Sequence, residues 1–122
     1  MTAPNLVNVS SIYGQTKGAP LTTTTTVGIL TCAANKVLKV NSVIVSNVDG
    51  TNSADATVTF YDSSETAGYY LASTVAVPAD STLIVLGKDS PIYLEESDEI
   101  RAGASVNDDL QIVVSYEELD DA

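Results

Sequence analysis

The chain has no histidine, no tryptophan, a single cysteine and a single phenylalanine, Phe60. Without histidine, neither Ser–His nor Cys–His nucleophile activation is available. Paired carboxylates can cleave a glycosidic bond, but that chemistry calls for a deep cleft and aromatic platforms, which a tryptophan-free domain is poorly equipped to build. No Gly-rich phosphate loop or nucleotide fingerprint is present. Cys32 stands alone, which excludes an intramolecular disulfide and any multi-cysteine metal site. Between Thr31 and Ala33, beside an apolar stretch, it reads as a buried and inert thiol. The expectation is a protein that is not an enzyme and uses no cofactor.

Positive charge is equally scarce. Lys17, Lys36, Lys39, Lys88 and Arg101 are the only basic residues in a chain of net charge −11. No cluster among them can neutralise a run of phosphates, so no nucleic acid is expected as a partner. Anionic membrane surfaces are disfavoured for the same reason. No apolar run approaches the ~20 residues of a membrane helix. The opening MTAPNLVNVS has neither a basic start nor a continuous apolar run, so a protein synthesised and kept soluble in a cytoplasm is expected. Strong acidity supports solubility and mutual repulsion at high local concentration.

What the chain does have is alternation. Its 122 residues make one domain, large enough to hide roughly two thirds of its unfolded surface. Val, Ala, Leu, Ile, Thr and Ser dominate, which favours strands. In 54–62, Ala54, Ala56, Val58 and Phe60 point one way while Asp55, Thr57, Thr59 and Tyr61 point the other. Leu110, Ile112, Val114 and Tyr116 repeat the pattern, as do Leu83 with Val85 and Ile100 with Ala102 and Ala104. Between Leu38 and Val48 the phase slips, which marks Asn41-Ser42 as a bulge. Turn residues punctuate these runs at Ala34-Asn35, 49–52, 63–68, 78–80, 87–91 and 107–109.

Strands are expected near 22–32, 37–48, 54–62, 69–77, 82–87, 92–94, 99–105 and 110–117. About eight short strands with frequent turns form an all-β, two-sheet antiparallel sandwich over 21–122. Residues 1–20 behave differently: Leu6, Val7, Val9 and Ile12 can add a strand, but Gly14, Lys17-Gly18 and Pro20 interrupt the second half of the segment. This segment is either an extended N-terminal arm that pairs with a neighbouring chain or the first strand of its own sandwich.

Four acids crowd into IYLEESDEIRAGAS, residues 92–105: Glu95, Glu96, Asp98 and Glu99. They fall between two strand-like runs, where hydrated carboxylates cost little. A calcium site wants several oxygens from one loop, yet the alternating Asp/Asn ligands and central Gly of a calcium loop are missing. Asp108-Asp109 and the run Glu117, Glu118, Asp120, Asp121 read as a solvated loop and a charged tail. Of Tyr61, Tyr69, Tyr70, Tyr93 and Tyr116, the adjacent pair Tyr69-Tyr70 is expected to place one ring inward and one outward.

The segments VIVSNVDG (43–50), VTFYD (58–62), STVAVPADSTLIVL (73–86), SPIYLEESDEIR (90–101) and VVSYE (113–117) resemble a group of small virion proteins of tailed phages, particularly those of marine bacteria and cyanobacteria. The likeness spans most of 37–118. In that group the acidic turn commonly reads Leu-Glu-x-Gly-Asp-x-Ile, and Ser97 stands where Gly is usual. The resemblance implies a jelly-roll-like sandwich serving as a capsid decoration or cement protein on the outer capsid surface of a virion. Its partner would be the major capsid protein, and a homotrimer is implied. Leu6, Val7, Val9 and Ile12 are the expected partner interface. The alternative is a tail, neck or fibre component that binds a host glycan through loops 63–68 and 106–109. A bacterial adhesin module is a third class, weighed down by the missing secretion signal.

Overall fold

A computed structural model of the chain describes residues 9–87 and 89–121. Nine strands and no helix fill that range: β1 (Val9–Pro20), β2 (Gly28–Thr31), β3 (Lys36–Asn47), β4 (Ala54–Asp62), β5 (Ala67–Val77), β6 (Thr82–Leu86), β7 (Ile92–Leu94), β8 (Glu99–Ala104) and β9 (Leu110–Asp121). They form two antiparallel sheets, one ordered β1-β9-β3-β6 with β7 also on β3, the other β2-β8-β4-β5. β6 lies along Val43–Ser46 of β3 and β7 along Leu38–Val40, so the two are halves of one broken edge. Counted so, eight strands wrap as a jelly roll, the chain changing sheet at every connection between them except the β4–β5 hairpin.

The core lies between the sheets. Val40, Val43, Val45, Ile112 and Val114 from one sheet meet Ala56, Val58, Ile100 and Ala102 from the other, all at most 1% exposed. Small side chains on β4 and β8 let the layers close without aromatics, and Leu21 plugs one end at 1% exposure. β3 pairs along its length with β9, and the register shifts between Val40 and Ser42. Asn41 is the extra residue, so Leu38 and Val40 face the core before the slip and Val43 and Val45 after it.

Three expectations need correction. The strand near 22–32 is only Gly28–Thr31. Leu21 N–H donates to Leu110 O (2.9 Å), and Thr22 O accepts from Ala104 N–H (2.8 Å), so the threonine run crosses from one sheet to the other. Thr22 O and Val27 O accept from Ala104 and Ala102 N–H, only two residues apart on β8, so the residues between them loop out of the ladder whatever their strand propensity. Second, the acidic tail is not a tail: β9 runs to Asp121, with Leu119 buried and Lys36 Nζ 2.6 Å from Asp120 and 3.3 Å from Glu118. Third, in place of an extended arm, residues 9–20 take the other course left open for them and form β1, at the edge of the chain's own sheet against β9.

Candidate functional site

The acidic stretch was the first candidate, and its geometry is that of a clasp. Residues 95–98 form a turn closed by Asp98 N–H donating to Glu95 O at 3.0 Å, with Ser97 at φ 67°. Asp98 is not a wet surface acid, since it is only 6% exposed. Its Oδ2 accepts from Glu95 N–H (3.1 Å) and its Oδ1 from Ser63 N–H (3.0 Å). Cys32 N–H donates to Asp98 O (3.0 Å) and Cys32 O accepts from Ser97 N–H (2.9 Å). The turn thus ties the end of β2, the β4–β5 hairpin and the β7–β8 connection together.

The remaining acids disperse. Glu99 Oε1 pairs with Arg101 Nε at 3.0 Å, and the Arg101 guanidinium lies 3.6 Å above the Tyr61 ring. Asp62 accepts from Ser64 Oγ and Ser64 N–H, and the Ser64 hydroxyl chiefly holds its carboxyl below the usual range. An open depression of about 310 Å³ lies between Asp62–Ser64 and Glu95–Asp98. Among the described residues no three acidic or sulfur side chains converge to hold a metal ion. The carboxyls of Asp98 and Glu99 are therefore hydrogen-bond acceptors for backbone and Arg101, and Cys32 beside them is buried, its thiol pushed up to about 11 chiefly by burial.

The two loops that could form a glycan site sit at opposite ends of the sandwich. Ser63 adjoins the 95–98 turn, whereas Asn107 Oδ1 accepts from Thr23 N–H and Asp109 O from Val48 N–H at the far end. They cannot line one pocket. The adjacent tyrosines divide as expected, Tyr69 on the face of Phe60 and Tyr70 on the opposite one, yet both are exposed, at 53% and 68%. Tyr69 does face Phe60 across the ladder, but β5 is an edge strand, so its inward ring stays in an open cleft with Leu71, Ile92 and Tyr93.

Of the expected interface residues, Leu6 and Val7 lie outside the described residues. Val9 pairs with Asp121 at the start of β1, and Ile12 is 60% exposed opposite Leu119.

A flat apolar row on the outer face of the larger sheet was missed. Gly18, Val113, Ile44 and Ile84 are successive cross-strand partners on β1, β9, β3 and β6. Buried neighbours on either side of Ile44 and of Val113 force both outward, and Ile84 is 66% exposed. The flanking outer rows, Gln111-Ser46-Thr82 and Ser115-Ser42, carry no charge. In the sequence the signal was the unbroken runs VIV and LIV, in which the middle residue breaks the polar-out rule. Such a face can bury area against a flat partner.

No helix among the described residues is long and apolar enough to cross a membrane. Comparison with known protein families finds no family model that matches this chain, and no curated protein matches it.

Proposed function

We propose that this is a structural protein of a tailed-phage virion, a decoration or cement protein that binds the outer capsid surface and bridges neighbouring copies of the major capsid protein. The observation that carries the reading is the uncharged outer row Val113-Ile44-Ile84 on a body of net charge −11. An acidic jelly roll that keeps an uncharged apolar patch on one outer face, bounded at one end by Lys39 and Glu117, is suited to adhesion, and the acidity suits a place outside the shell, away from packaged DNA. The resemblance of residues 37–118 to small virion proteins supports the same reading. Mechanically, each copy touches more than one capsid subunit and raises the cost of separating them; a contact of standard size buries ~1,600 Å².

The test is attachment of purified protein to empty shells, together with copy number in purified virions by quantitative gel densitometry. Hundreds of copies, and loss of attachment in Ile84→Asp and Val113→Asp with an unchanged fold, are expected. Tens of copies favour the tail or fibre alternative, and undiminished attachment of both variants removes the outer face from the mechanism.

A further inference from the structure

The sheets have unequal edges. β2, β6 and β7 are short, with four, five and three residues. β5 has eleven, but its pairing shifts between Ala56 and Val58 and again between Val58 and Thr59, and Thr74 sits at φ 52°. Bulges of this kind twist an edge away from partners. β1 differs. Its register with β9 runs unbroken from Ser11 to Pro20, and Ile12 to Gly18 are exposed on both faces. Natural edges of this length are ordinarily blunted with lysines and prolines, and over its twelve residues β1 has one lysine, Lys17, and a proline only at its last position, Pro20.

We propose that the free edge of β1 pairs antiparallel with β1 of a second copy across a twofold axis at Gln15, joining two five-stranded sheets into one. A twofold antiparallel pair must set one residue opposite itself, because directly opposed side chains share a face. Centring on Gln15 places Gly14 opposite Thr16, Tyr13 opposite Lys17 and Ile12 opposite Gly18. Ile12 then lies over Gly18, the Tyr13 ring lies beside the Lys17 stem, and the two Lys17 side chains stand apart. On β9, the neighbour of Tyr13 is Glu118, in the acid-rich stretch where Lys36 already binds Glu118 and Asp120. Each copy thus delivers Lys17 towards the other's excess acid, and this complementarity selects a second copy as the occupant. The symmetry is twofold, unlike the trimer implied by the resemblance. Pairing through β1 is independent of capsid attachment through the outer row of β9, β3 and β6, and neither outcome below bears on that attachment.

Sedimentation velocity and light scattering of the full chain test it. A mass of twice 12.7 kDa is expected. Lys17→Glu raises the dissociation constant by at least about tenfold with unchanged circular dichroism and Tm, since its side chain is exposed and its ladder bonds are backbone. Thr16→Pro gives the same shift by spoiling the edge for pairing. Gln15→Cys, in a chain whose own Cys32 is buried, forms a disulfide-linked dimer on mild oxidation, and Ile12→Cys does not. A monomer at ~100 µM, where a specific contact would be filled, overturns the proposal. So does a trimer, or a dimer indifferent to Lys17→Glu and uncrosslinked through residue 15.

Discussion

The Asp98 carboxylate accepts the backbone N–H of Ser63 at 3.0 Å, across 35 residues of chain, and so fastens the β7–β8 turn to the β4–β5 hairpin. With Glu95 N–H on its other oxygen, the side chain satisfies two donors. Asp98→Ala leaves both without their partner and is expected to cost about 3 kcal/mol, lowering Tm on the order of 10 °C. Asp98→Asn keeps the shape but offers only one acceptor oxygen, and should cost roughly half as much. Added calcium should leave the Tm of wild type unchanged, because these oxygens already serve the backbone. A calcium-dependent rise would make the turn a cation site after all.

Ser97 holds the left-handed conformation at φ 67° in the same turn. For a residue with a Cβ that region costs about 1–2 kcal/mol, whereas glycine enters it freely but loses about 0.5–1 kcal/mol more entropy on folding. Ser97→Gly should therefore stabilise by roughly 0.5 kcal/mol. Denaturant unfolding with an unchanged m-value checks it; a destabilised variant would mean that the Ser97 side chain contributes something its exposure conceals.

Gly103 lies beneath the threonine crossing. A Cβ there would come within 2.6 Å of Thr25 Cα and 2.7 Å of Thr24 O, both backbone atoms that cannot swing aside. Gly103→Ala is expected to lose about 1–3 kcal/mol and to displace the 21–27 crossing. Gly50→Ala, whose added carbon would meet only Asp80 carboxylate oxygens at 3.7 and 3.9 Å, should stay within about 0.5 kcal/mol of wild type. Equal Tm for the two variants would show that the crossing is not packed on Gly103.

Much of the sandwich was legible because its strands alternate about a single core. Val58 and Ile100 announce their faces by period alone, and Asn41 shows itself where that period breaks. The threonine run reads as a strand because local propensity favours one there, while the deciding facts are the buried Leu21 and the bare Gly103, distant in sequence. Glu118 and Asp120 look like a tail when counted as charges alone; their register with β3 brings Lys36 to them. Asp98 looks hydrated because the donor that buries it lies 35 residues away. Of the surfaces, the row Val113-Ile44-Ile84 needs strand pairing to appear, since no window of sequence contains it.

Cys32 provides a pH-dependent check on the core. It is 2% exposed, and burial raises its thiol from 9.0 to about 11 in the folded chain. Below pH 9 the thiol is neutral in both states and has no pH-dependent effect. As pH rises from 9.0 towards 11 the unfolded chain ionises first, so stability falls through that window, by up to about 2–3 kcal/mol. Lys36, whose pKa is raised chiefly by Asp120, loses its ion pairs in the alkaline range too, so the comparison must be with Cys32→Ala. That variant should be less stable at pH 7 by about 1 kcal/mol, from the small cavity, yet lose less between pH 9 and 11. In native protein at pH 8 a thiol reagent should label Cys32 only through opening of the fold, and immediately in denaturant. Rapid native labelling, or identical alkaline slopes for the two proteins, would place Cys32 outside the core.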